Sequence, residues 1–206
     1  GMYTRGGDYR TADYVLNNTG YNTISLSAQA GYRGRKFTAT FFTSLYYQRS
    51  GIYYASKISD LSQLIKRFEY GRPSPETIYR IKPPFQQSQH VTMKGEVKWN
   101  INENHRIDFT LSFQENLRQE FENRKKAQWS WIPVQDLILK TTKLDVLWHA
   151  RWKLWNMTTD AGTSNTYQTN FNYPGTKQPA FVPNFAALSM GGYFLHKAQF
   201  NKLQMA

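Results

Sequence analysis

Three observations predict an all-β chain folded as an antiparallel up-and-down meander. Apolar and polar residues alternate with period two in seven segments. The connections between those segments alternate short and long along the whole chain. And no apolar run reaches the roughly 18 residues of a membrane-crossing helix, although aromatic residues make up 16% of the chain and the mean hydropathy is −0.66. Together they predict part of a transmembrane β-barrel, with long extracellular loops and one short loop helix.

The segments follow in order. From Asn22 to Tyr32 the residues Ile24, Leu26, Ala28, Ala30 and Tyr32 share one face, with Ser25, Ser27, Gln29 and Gly31 between them. Phe37, Ala39, Phe41, Leu45 and Tyr47 oppose Thr38, Thr40, Ser44 and Gln48. Val91, Met93, Val97, Trp99 and Ile101 alternate with Thr92, Lys94, Glu96, Lys98 and Asn100. Ile107, Phe109, Leu111 and Phe113 are set against Asp108, Thr110, Ser112 and Gln114. Leu144, Val146, Trp148 and Ala150 oppose Lys143, Asp145 and His149, and Trp155, Met157 and Ala161 oppose Asn156, Thr158 and Asp160. A seventh strand is expected from Ala187 to His196, with Leu188, Met190 and Phe194 on one face. Gly1 to Arg5 and Leu203 onward read as two partial strands. This alternation is the mark of strands with two unlike faces.

Short turns are expected at Arg33 to Lys36, Asn102 to His105, Arg151 to Lys153 and Lys197 to Lys202. Long connections are expected at Gly6 to Gly20, Arg49 to His90, Leu117 to Thr141 and Asn165 to Ala186. Structureless connections beyond about 12–15 residues are uncommon in compact domains, whereas barrels of the outer membrane place turns at one rim and long loops at the other. Tyr32 and Phe37 flank the first turn, Trp99 precedes the second, and Trp148 and Trp155 bracket the third, as an interfacial aromatic girdle would. No apolar-face position named above is charged. An Arg or Lys there would cost about 2–4 kcal/mol at the middle of a bilayer, so Lys94, Glu96, Lys98, Asp108, Lys143 and Asp145 all take the other face. Within the longest connection, Ser59-Asp60 as N-terminus, Leu61, Leu64, Ile65 and Phe68 on one side, and Gly71 with Pro73 as stop predict a short amphipathic helix.

The net charge of +12 comes with two basic patches, Arg33-Gly34-Arg35-Lys36 and Arg124-Lys125-Lys126. Neither is accompanied by a recognition-helix pattern or an RNA-binding aromatic motif, so nucleic acid is not expected as a partner. The first patch falls on a turn between strands, where lipid phosphates are the alternative. The absence of cysteine excludes disulfides and thiolate chemistry. His90, His105, His149 and His196 have no ligand spacing, and neither Gly6-Gly7 nor Gly191-Gly192 leads into a phosphate-binding helix. Glu120 and Glu122 could pose as a carboxylate pair, but Arg118, Arg124 and Lys125 beside them favour solvated ion pairing. No catalytic, cofactor-binding or metal site is therefore expected, and no enzymatic activity.

The run from Arg5 through Gly6-Gly7-Asp8-Tyr9-Arg10 to Asn17-Asn18-Thr19-Gly20, followed by a strand and Gly31-Tyr32-Arg33, resembles a loop, strand and turn of TonB-dependent outer-membrane receptors. Gln114 with Asn116-Leu117-Arg118-Gln119-Glu120-Phe121, and Pro174-Gly175-Thr176 leading to Val182-Pro183-Asn184-Phe185, are similar to further stretches of that family. The resemblance implies a bacterial outer-membrane location and a barrel of about 22 strands. Residues 1–206 would then be a partial barrel of about seven complete strands and two partial ones, without the family's plug domain.

What the resemblance implies for function is active uptake of a scarce ligand, with siderophore-bound iron, cobalamin or a glycan as the family's ligand classes. Partners would be outer-membrane lipid and lipopolysaccharide, the small-molecule or glycan ligand, and the energy-coupling protein TonB acting through the plug region. Ligand-facing candidates are the loop residues Tyr53, Tyr54, Arg67, Tyr70, Arg72, Arg80, Trp129, Trp131 and Tyr173, with the arginines suited to an anionic chelate. A passive porin or structural barrel, and a soluble β-sheet binding protein, are the alternatives from other classes.

Overall fold

The computed structural model describes residues 1–53, 61–62, 65, 80–124, 126–153, 156–176 and 178–198, and the backbone of 199–200 and 203–205. One antiparallel meander dominates. Its strands are β1 (Met2–Gly6), β4 (Tyr21–Arg33), β5 (Phe37–Gly51), β6 (Phe85–Asn100), β7 (His105–Phe121), β8 (Gln135–Trp152), β9 (Met157–Asn172) and β10 (Phe185–Phe200), with the short β11 (Leu203–Met205) paired to β10. A separate small hairpin, β2 (Tyr9–Arg10) with β3 (Val15–Leu16), lies inside the first long connection. The sheet is open, with β1 and β11 at its edges.

From β4 onward each strand pairs with its sequence neighbour, and the hydrophobic pattern together with the short turns sets the register. Phe41 lies opposite Ala30 and Gly95, Gly95 opposite Leu111, Leu111 opposite Leu144, and Leu144 opposite Asn165. A one-residue slip anywhere would carry a whole apolar set to the polar side.

The strands outrun the expected limits at their long-connection ends. β6 begins at Phe85 rather than near Val91, β7 continues to Phe121, and β8 begins at Gln135 rather than near Lys143. The long connections shrink to residues 7–20, 52–84, 122–134 and 173–184. In these extensions both faces carry polar residues, Gln86 to Gln89 on β6 being one case, so the period-two signal disappears while backbone pairing continues. At the other end, Ile101 leaves the strand and enters the turn, and Asn156 is a turn residue with φ of 44° rather than a strand position. Trp155 lies outside the described residues. Of the expected loop helix, Leu61, Ser62 and Ile65 are helical, while Leu64 and Phe68 lie outside the described residues.

Burial is concentrated at one rim. Among the described residues the buried apolar set is Val15, Phe85, Phe121, Val134 and Ala150, and all but Ala150 sit at the long-connection end. Phe85 and Phe121 stack with ring centroids 4.2 Å apart, and Trp131 joins them at 6.0 Å.

Candidate functional site

The two faces of the sheet and its two rims define what the chain can touch. On one face the register aligns Phe37, Trp99, Ile107, Trp148, Ala161 and Phe194 in a row, with rows through Ala39, Phe41 and Met93 beyond it. These side chains are open rather than packed: Leu111 is 55% exposed, Met190 74% and Phe194 69%. No charged residue interrupts the first four rows. Thr163 and Asn165 are the polar members on β9, and they are tied inward, Asn165 Nδ2 donating to Thr163 Oγ1 and Thr163 Oγ1 donating to the Gly191 carbonyl.

Polar residues bound this band toward the long connections. Glu115 and Lys140 form an ion pair across β7 and β8 at 3.4 Å. Beyond it runs a cross-strand ladder: Tyr47 Oη donates to Gln87, Gln87 Nε2 to Gln119, and Gln119 Nε2 to Asp136. Members of such a chain polarise one another and hold neighbouring strands in step.

The opposite face carries the charges, arranged largely along single strands. Lys94 pairs with Glu96 at 2.6 Å, Arg106 with Asp108 at 2.9 Å, Arg118 with Glu120 at 2.6 Å and Lys143 with Asp145 at 3.0 Å. Residues two apart on a strand share a face, so each pair is legible as a cation and a carboxylate at i and i+2. Glu120 thus takes the ion-paired arrangement expected of it. Near the short turns His149 bridges two carboxylates, Nδ1 lying 2.6 Å from Asp160 and Nε2 3.5 Å from Asp108. That cluster was not visible in the sequence, because its three members come from three strands and meet only through register. The usable signal was parity, since all three occupy polar-face positions. Phe42, Leu139, Leu147 and Tyr193 also point to this face. The Tyr193 ring covers Gly162, where a Cβ would come within 2.7 Å of it.

At the long-connection rim Asn18 is the central side chain. It is 3% exposed and left-handed at φ 63°. Its Nδ2 donates to the carbonyls of Ile52, Lys82 and Pro84 at 2.9, 2.9 and 2.7 Å, and its Oδ1 accepts from the Lys82 amide at 2.9 Å. One side chain therefore clasps the first long connection to both ends of the second. Gly51 passes so close to the Asn18 backbone that a Cβ would collide with its carbonyl oxygen. Asp8 Oδ1 accepts from the Thr19 and Gly20 amides, closing the same loop from the other side. The Arg5–Gly20 run is thus braced internally by Asp8 against Thr19 and Gly20 and tied outward by Asn18 to residues 52–84.

The ligand-facing candidates fall into two groups. Tyr53 and Arg80 stand at the two ends of residues 52–84, beside the Asn18 clasp. Trp129 and Trp131 lie on a single 3-10 turn, Ala127–Trp131. Lys126 sits over the Trp129 ring at 4.7 Å, and Arg124 donates to the Thr176 carbonyl at 2.8 Å, joining this connection to the one that carries Tyr173. Trp131 packs toward Phe85, which belongs by register to the apolar side. Tyr54, Arg67, Tyr70 and Arg72 lie outside the described residues. A cleft at this rim is lined by Tyr3, Asp8, Tyr21, Arg49 and Ile81 among others and holds about 220 Å³. None of these was among the candidates, and the volume is below the roughly 300 Å³ at which small-molecule sites begin. Arg49 lies over the Phe85 ring at 4.0 Å, linking this cleft to the aromatic stack.

Comparison with known proteins adds no name: no family model, no curated protein and no solved structure matches this chain.

Proposed function

We propose that these residues form part of the barrel wall of an outer-membrane active transporter of the TonB-dependent receptor type. Such a protein binds a scarce ligand (siderophore-bound iron, cobalamin or a glycan) outside the cell and imports it with TonB-coupled energy. The observation that carries the membrane reading is the uncharged, open apolar band on one face of every long strand. From Phe37 to Thr43 on β5, the rows free of charge on every strand, the band runs about 20 Å at about 3.3 Å per residue. A strand tilt of about 40° reduces this to about 15 Å of height, which fits inside the roughly 25 Å apolar span of outer-membrane barrels. Leu111, Leu188, Met190 and Phe194 stand at exposures of 55, 66, 74 and 69%, and an open apolar face of this kind marks a surface that meets another apolar medium or partner. Turns at one rim and long connections at the other support the same reading, and the free edges β1 and β11 are where further strands would pair. The receptor assignment rests on the resemblance centred on Arg5 to Gly20.

Residues 1–206 contain no cysteine, so single cysteines introduced into a cysteine-free background of the full-length protein test this directly. Leu111→Cys and Ser112→Cys, placed one at a time in the full-length protein in intact outer membranes, report the two faces of β7. A water-soluble maleimide is expected to label Cys at 112 and spare Cys at 111. Equal labelling of both would overturn the membrane reading. Transport is tested separately: cells lacking the whole gene should lose import of one ligand class, and unchanged import of all of them would leave a passive or structural barrel.

A further inference from the structure

We infer that the short-turn rim is a docking surface for the phosphate headgroups of anionic phospholipids. The inference rests on the membrane reading above and adds a partner at a surface that the transport reading leaves unused.

The turn between β4 and β5 carries Arg33, Arg35 and Lys36, all exposed, and is closed by the Gly34 amide donating to the Phe37 carbonyl at 2.8 Å. Arg151 at the end of β8 and Lys153 just beyond it are also exposed, and the Arg151 amide donates to the Asn104 carbonyl of the neighbouring turn at 2.8 Å. Among the described residues, none of these five cations has a carboxylate within ion-pairing distance. The charges of the polar face, by contrast, are mostly paired. Glu103 is the one carboxylate among the described residues of the short connections.

Aromatic rings stand directly beside both cation clusters, on the apolar-band side. Tyr32 and Phe37 flank the first at a centroid separation of 5.2 Å. At the second, Trp152 meets Trp148 edge-on at 6.4 Å and donates through Nε1 to Thr159 Oγ1 at 2.9 Å. A ring belt with unpaired cations just past it is the order in which a bilayer presents its own layers, acyl boundary first and phosphates next. The two clusters are four strands apart, about 19 Å at about 4.8 Å per strand, so each would engage its own headgroup. A nucleic acid would need a continuous cationic track, and the Glu103 turn interrupts one.

The test uses the full-length protein in nanodiscs of mixed zwitterionic and phosphatidylglycerol lipid, with the retained lipid counted by native mass spectrometry. The wild type should enrich phosphatidylglycerol. R35Q/K36Q/K153Q should lose that enrichment, by about fivefold per charge at low salt, while E103Q at the same rim should keep it. Equal enrichment in wild type and triple variant overturns the inference. Inorganic phosphate should leave the enrichment in place, and complete displacement by it would mean a soluble-anion site and also overturn it. A protein that does not enter the disc sinks the membrane reading as well. One that enters without charge selectivity sinks this inference alone.

Discussion

The middle of the sheet and its long-connection rim place their apolar residues in opposite ways. At the rim Phe85 and Phe121 are buried against each other, Trp131 and Arg49 close over them, and Asn18 binds two connections together. In the band Leu111, Met190 and Phe194 stand open, with none of the described residues laid over them. The rim supplies its own core, whereas the band leaves its burial to the surroundings. The difference teaches that, under the proposed membrane placement, the two regions draw their stability from different media, so a change of medium should separate them.

The sharpest way to break that contrast is to empty the rim. Phe85→Ala should cost about 3–5 kcal/mol, read as faster hydrogen exchange at the paired ends of β6 and β7 while the turn ends stay protected. Uniform loss along both strands would mean that rim and band unfold as one unit. Next comes the band: Leu111→Arg should cost about 2–4 kcal/mol for insertion into vesicles, and Ser112→Arg, one residue away on the polar face, less than about 1 kcal/mol. Equal costs would remove the distinction between the faces. Asn18→Ala should cost about 1–3 kcal/mol by orphaning buried backbone groups, with the Lys82 amide, which loses its acceptor, exchanging first. If Lys82 exchange is unchanged, the clasp does not hold the connections. The smallest effect belongs to Arg118→Ala, at about 0.2–1 kcal/mol, because its pair with Glu120 is largely exposed.

The same contrast explains what the sequence could reveal. Where one face of a strand is apolar and the other polar, as from Phe37 to Tyr47 or Ile107 to Gln114, the alternation is local and the strand can be read directly. Past the band the two faces no longer differ, β6 being polar on both from Gln86 to Gln89 and β8 apolar on both at Leu137 to Leu139, so these extensions carry no periodic signal although their backbones remain paired. The small β2–β3 hairpin was invisible because two-residue strands carry no period. Charge parity was readable in Lys94, Glu96, Lys143 and Asp145. The Asp108–His149–Asp160 cluster was not, because strand register sets it. Asn18 shows the limit most plainly: its partners are 34 to 66 residues away, and nothing local marks an asparagine as a clasp rather than a surface loop residue.

The i, i+2 ion pairs have a consequence for assembly. Lys94–Glu96, Arg106–Asp108, Arg118–Glu120 and Lys143–Asp145 each close within one strand. A strand that neutralises itself imposes little electrostatic demand on the strand laid beside it. Away from the Asp108–His149–Asp160 cluster, such strands can be exchanged for others without stranding a charge on the polar face. Glu115–Lys140 departs from this pattern and bridges β7 and β8.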